Sequence, residues 1–217
     1  MVNIENVITE GITMKEEIIR LLKLTGRAGI DKLIEWMEQN GFFTSPCSGG
    51  HHLAKEEGLA EHSHNVYSVM CDFANTVRQD IAIPFDSIII VSLLHDIGKC
   101  SQFGKPGYIP NMVKDGRPTV KEPEQKLKQS DSKPFMGNPE LLSVPHEVRS
   151  IQIASRFIEL TEEENFAILY HNGMYGSLKY KLQGHETPLY LLLHMSDMWA
   201  SRVVEIDKED EDASQEG

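Results

Sequence analysis

The sequence predicts an all-α protein: a helical bundle carrying one long irregular or β-hairpin insertion. Three observations point there. Helical periodicity with start and stop signals runs through most of the 217 residues. One segment, Phe85–Ile97, is apolar nearly all round, as a helix enclosed by others must be. A single stretch, Lys99–Val144, is rich in Pro, Gly, Lys and Asp and loses the period. So long an irregular passage in a compact domain is usually a functional loop or an ordered hairpin.

Taken in order, Met14–Thr25 and Asp31–Asn40 read as amphipathic helices, the second closed by Gly41. Residues 1–41 are thus expected to be N-terminal helices packed on the core. A polar, glycine-rich passage, Thr44–His52, leads to a longer helix from Leu59 to about Arg78. Phe85–Ile97 is the buried central helix, ending at Gly98. Within the insertion, Lys114–Arg117 has a turn signature, with short strands expected at Tyr108–Val113 and Pro118–Lys121. Helices resume at His146–Glu159, Glu162–His171 and Leu189–Val204. Thr161 with Glu164 forms a capping-box pattern, and Thr187 precedes a proline at a first helical turn. Residues 42–204 make the main domain. Glu205–Gly217 carries seven acids against one lysine and reads as a disordered acidic tail.

Composition excludes several classes. With 40% hydrophobic and 25% charged residues, this is an ordinary globular chain. The longest strongly apolar run, Ile88–Leu94, is far short of the roughly 20 residues of a membrane span. The first residues lack the basic start and apolar stretch of a signal peptide. Cys47, Cys71 and Cys100 are widely spaced, which suits a reducing cytosol, so a cytoplasmic location is expected. The net charge of −12 and the lack of a basic stripe disfavour duplex nucleic acid and membrane partners. A small anionic substrate stays possible if metal ions or a few lysines hold it.

The informative residues are polar ones on faces that belong to the core. His62 lies on the stripe formed by Leu59, Val66, Val69, Met70, Phe73 and Val77, whereas His64 faces outward. Asp96 follows a fully apolar run, and Asp197 sits mid-helix among apolar neighbours. A buried carboxylate requires a counter-charge or a metal. His146 opens one helix after Pro145, and His171 closes another before Asn172. Singly, each has a plain reading: a hydrogen-bonded core histidine, a cap, half of an ion pair. Together, His62, His95, Asp96, His146, His171 and Asp197 are a donor set for hard or borderline divalent ions. Two such ions could share one bridging carboxylate. Trp36 and Trp199 read as core.

The order of these residues resembles the HD-domain metal-dependent phosphohydrolase superfamily: His62 after Glu61, then Leu94-His95-Asp96-Ile97-Gly98-Lys99, then His194 through Asp197. Pro145-His146-Glu147 and Tyr170-His171-Asn172-Gly173 resemble the additional histidines of its binuclear branch. The passage from Phe42 through His51 and His52 to Gly58-Leu59 and His62 resembles a bacterial and phage group of small HD hydrolases, and the HD part of a 3′-to-5′ exoribonuclease family. There are two departures. Glu57 stands where the group has the first of two glycines, and Glu147 directly follows His146 where a glycine often intervenes.

The resemblance implies an HD-type helical bundle and a roster of roles. His62, His95, Asp96 and Asp197 would hold one metal, and Asp96 would bridge to a second held by His146 and His171. One or two divalent ions per chain are implied, drawn from Fe, Mn, Ni, Co, Zn or Mg. The chemistry implied is hydrolysis of a phosphate ester, of a nucleotide or related small phosphate, by a metal-activated hydroxide. Asp96 and Lys99 are the catalytic candidates. Lys99 either binds the phosphate or is a solvated lysine at a helix C-terminus. His51, His52 and His194 are further substrate-binding candidates. Two other readings share the ligand order: a di-iron HD-type oxygenase, and a non-catalytic metal- or nucleotide-binding module.

Overall fold

A computed structural model describes residues 11–77, 82–118, 124–176 and 179–206. The N-terminal helices are α1 (Met14–Leu24) and α2 (Ile30–Gln39). Thr13 and Glu16 close a reciprocal capping box at the start of α1, which buries Ile18, Leu21 and Leu22. Gly29 starts α2 at φ 88°, where a Cβ would run into the carbonyl oxygen of Phe157. The link between the two helices is tied inward by Arg27. Its guanidinium forks onto the fully buried Glu164 and reaches Asp86 at 2.8 Å, while Ser87 Oγ donates to Glu164 at 2.7 Å. Glu164 is also the capping-box acid of α6 (Glu162–Tyr170). One carboxylate therefore joins the N-terminal helices to two helices of the core.

The core packs α3 (Gly58–Thr76), α4 (Phe85–Leu94), α6 and α8 (Pro188–Trp199) around an apolar centre. The inward stripe of α3 holds at Leu59, Val66 and Met70. It emerges at Val77, which is half exposed, and Arg78 lies outside the described residues. Helix α4 is buried from Ser87 to Leu94. It stops at Leu94, short of the expected Ile97, and the chain tightens into a 3₁₀ turn at Ile97–Lys99. The cause is close approach. Gly98 lies against the first turn of α5 (His146–Ala154), where a Cβ would strike the His146 carbonyl, and its N–H donates to Ser150 Oγ at 2.9 Å. Helix α5 itself ends at Ala154, earlier than the expected Glu159. Trp36 packs beside Phe157, but Trp199, expected in the core, is 49% exposed.

The molecule is mostly helical rather than all-α, because the insertion forms two small antiparallel pairs. Strand β1 (Tyr108–Pro110) pairs with β4 (Phe135–Gly137), and β2 (Met112–Lys114) with β3 (Leu127–Gln129). The expected first strand is thus split at Asn111. Its two parts pair with Phe135–Gly137 and Leu127–Gln129 rather than with Pro118–Lys121, of which residues 119–121 lie outside the described part. The insertion docks through Phe135, whose N–H donates to Gly49. Arg149 clamps its ends, donating to Gln102 and to the Leu142 carbonyl, while Gln102 donates to the Gly98 carbonyl. A four-residue helix, α7 (Lys179–Leu182), precedes α8. Helix α8, capped by Thr187, continues into a π-helical turn at Ala200–Val204. Among the described residues, no helix is long and apolar enough to cross a membrane.

Glu57, the residue standing in place of a glycine, precedes α3 at φ 64°. The left-handed region costs a non-glycine residue roughly 1–2 kcal/mol. The greater freedom of glycine in the unfolded chain takes back about 0.5–1 kcal/mol. Glu57→Gly is therefore expected to stabilise the protein by up to about 1.5 kcal/mol. The urea midpoint should rise at unchanged slope; a lowered midpoint would contradict the account.

Candidate metal centre

Helix ends set the site. His95 and His171 are the C-cap residues of α4 and α6, both in helical conformation. Each folds back so that Nδ1–H donates to the carbonyl three residues earlier, His95 to Ser92 and His171 to Ile168, both at 2.8 Å. His146, at the start of α5, has Nδ1 3.3 Å from Glu147. His62, in the body of α3, has Nδ1 3.0 Å from Glu205. All four rings thus commit Nδ1 outward and turn Nε2 to a common centre, the orientation in which imidazole ligates a metal.

Asp96 stands at that centre, 2% exposed. Its two oxygens face different partners. Oδ2 lies 3.6 Å from His95 Nε2, 3.7 Å from His62 Nε2 and 2.6 Å from Lys99 Nζ. Oδ1 lies 3.1 Å from His146 Nε2 and 3.6 Å from His171 Nε2. No hydrogen bond reaches this oxygen, although it is fully buried. His146 and His171 bring their Nε2 atoms within 3.2 Å of each other. Asp197 Oδ1 lies 3.3 Å from His62 Nε2. A buried carboxylate oxygen that accepts no hydrogen bond and faces two ring nitrogens fits a bound cation. The groups His62–His95–Asp96, Asp96–His146–His171 and His95–His171–Asp197 each place ligand atoms within 4.8 Å and could hold a metal ion.

Electrostatics suit the same role. Burial pushes the His171 imidazole down to about 3 and lowers that of His95, so both are neutral donors at ordinary pH. Burial alone would push the Asp96 carboxyl up; Lys99, His95 and His146 outweigh it and hold it well below the usual range. Burial opposes charge on His62, yet Cys47, Asp197 and Glu205 hold its proton on well above the ordinary imidazole range.

The six ligand candidates and Lys99 therefore come together. His194 joins them at the edge: its Nδ1–H donates to the His171 carbonyl at 2.7 Å, and the ring lines the cleft. The two adjacent histidines separate. His52 lines the cleft, with its ring 4.9 Å from that of His62. His51 is exposed and faces the adjoining groove instead. Three neighbours escaped the sequence reading. Cys47 is buried, 3.5 Å from His52 Nε2 and 3.8 Å from Lys99 Nζ. Arg202, on the π-helical turn, reaches over the Tyr175 ring at the cleft rim. Glu205, expected in the disordered tail, has a side chain only 1% exposed; residues 207–217 of that tail lie outside the described part. The continuous helical pattern through Val204 is a signal that the chain is still packed there, but nothing in it points Glu205 at His62.

Compared with protein-family models, curated proteins and solved structures, the chain finds no match in any of the three.

Two outcomes are expected. The protein should bind one to two equivalents of a divalent transition metal, and Asp96→Asn should lose most of it; stoichiometric metal in that variant, measured by elemental analysis, would exclude Asp96 as the shared ligand. A metal entering at His62 must also displace the Nε2 proton. Because that proton is held above the ordinary imidazole range, binding near neutral pH should release it. Apparent affinity should then rise with pH, about tenfold per unit for one proton released, until His62 deprotonates by itself. Isothermal titration in buffers of different ionisation enthalpy reads the proton count.

Proposed function

We propose that the protein is a metal-dependent phosphohydrolase of the HD type, cleaving a phosphate ester of a nucleotide or related small phosphate. The observation that carries this reading is the split coordination of Asp96, one oxygen toward His62 and His95, the other toward His146 and His171. A carboxylate so placed suits a ligand shared by two divalent ions. His62, His95, Asp96 and Asp197 would hold one, and Asp96, His146 and His171 the other. Bound there, such ions supply Lewis acidity toward phosphoryl oxygens and lower the pKa of bound water.

The chain's own residues do the remaining work. Lys99, in the 3₁₀ turn after Asp96, lines the cleft with a side chain only 15% exposed. Its charge is oriented by Asp96 and stands ready for a phosphoryl or leaving-group oxygen. His194 keeps its second nitrogen for the cleft. The cavity above the cluster measures about 160 Å³, enough for a phosphoryl group rather than a whole nucleotide. It adjoins a groove of about 1040 Å³ between the Gly50–Lys55 loop, the 131–134 part of the insertion and the π-helical turn that follows α8. His52, Ser201 and Arg202 line both spaces. That volume is in the range of small-molecule sites and supports a substrate whose organic part lies beside the metals.

The test is a screen of the metal-loaded protein against nucleoside mono-, di- and triphosphates, cyclic and linear dinucleotides, short RNA and bis-p-nitrophenyl phosphate. Metal-dependent hydrolysis supports the reading, read as phosphate from a monoester, a nucleotide from a dinucleotide or RNA, or nitrophenol from the aryl ester. No turnover of any ester with any of the candidate metals overturns it. On the ester so identified, Lys99→Ala should lower kcat/KM by on the order of 10²-fold while metal content stays unchanged. Lys99→Arg should keep part of the rate. Wild-type kcat/KM in Lys99→Ala would leave the residue only its structural role, as the counter-charge of buried Asp96 rather than the solvated helix-end lysine the sequence also allowed.

A further inference from the structure

His95 and His171 end helices, and each satisfies Nδ1 with a carbonyl of its own last turn. His62 cannot do so. It lies within α3, where the Leu59 carbonyl three residues earlier already accepts from Ser63 Oγ. Its Nδ1 instead meets both oxygens of Glu205, at 3.0 and 3.1 Å. Glu205 is held in turn by Asn65 Nδ2 at 3.1 Å, one turn along α3, and its Oε2 is 3.9 Å from His52 Nε2. The carboxylate has a built seat: its side chain is 1% exposed.

The backbone explains how it gets there. Asp197, which faces His62 Nε2, and Glu205, which faces Nδ1, lie on one continuous helical segment. On an unbroken α-helix the step of eight positions from one to the other would leave the second side chain about 80° round from the first. The π-helical turn closes Glu205 N–H onto the Ala200 carbonyl at 3.0 Å, five residues back. More residues per turn take back part of that offset, so both acids reach the same ring.

We infer that Glu205 is the positioning residue of the candidate centre, fixing the Nδ1–H tautomer of His62 and aiming its Nε2 at the metal. A carboxylate behind a ligating histidine also raises the ring's basicity as a donor. The inference rests on His62 being a metal ligand and is independent of the reaction catalysed.

The experiment uses the full chain and Co(II) as probe, with affinity read by chelator competition and geometry by the visible spectrum. Glu205→Ala should weaken the Co(II) equivalent that His62→Ala abolishes by roughly 10- to 100-fold and alter its visible bands. Glu205→Gln, whose amide oxygen still accepts from Nδ1–H, should recover most of the loss. Asn65→Ala, which only loosens the carboxylate, should shift affinity the same way by a smaller factor, and it stands in for Glu205→Ala should that variant fail to fold. Wild-type affinity and spectrum in Glu205→Ala, or in Asn65→Ala where it stands in, overturn the inference. So does a loss that Glu205→Gln does not recover, since a structural anchor alone would behave so. A wild-type protein that binds no Co(II) overturns the assignment of His62 as a ligand, a distinct failure.

Discussion

A carboxylate sealed from water at the end of the most buried helix conditions everything around it. Asp96 cannot remain charged without compensation, and its Oδ2 finds it in Lys99 from the next turn and His62 from α3. Its Oδ1 instead meets ring nitrogens of His146 from α5 and His171 from α6 without a hydrogen bond. Elements far apart in sequence thus converge on one carboxylate. The tight 3₁₀ turn makes room for this, as Gly98 lets α5 approach without a side chain between.

The same polar cluster is costly as architecture and economical as a binding site. Nonpolar residues of similar volume would give a core of equal or greater stability. Here His95 and His171 spend their outer nitrogens on backbone carbonyls and turn the inner ones to the centre, and one oxygen of Asp96 has no hydrogen bond. Burial keeps His171 and His95 neutral. His62 differs, held charged between Asp197 and Glu205, so a metal binding there would have to displace a proton.

Around this centre the rest of the molecule acts as support and wall. The Arg27–Glu164 fork binds the N-terminal helices to α4 and α6, the helices that end in His95 and His171. Arg149 and Gln102 hold the roots of the insertion against the 3₁₀ turn that carries Lys99. The insertion then borders the groove beside the cleft. Few of these contacts touch the candidate ligands, yet each limits how far those ligands could drift.

The sequence by itself determined the helices, the insertion and the identity of the clustered residues, because each has a local signature. Thr161 with Glu164 announces a helix start, and a histidine on an apolar stripe or an aspartate after an apolar run announces inward polarity. Glu57 was legible as a departure, but the reason a glycine belongs there, φ 64°, was not. Only the tertiary structure decided which oxygen of Asp96 faces which histidine, that His52 and not His51 enters the cleft, and that the insertion pairs as two short ladders. It alone moved Glu205 from an acidic tail to the back of His62. Local signals arise from a residue and its near neighbours along the chain. The direction of a side chain across a site depends on how helices end, on one π-helical turn and on packing between distant segments, and a one-dimensional pattern holds none of these.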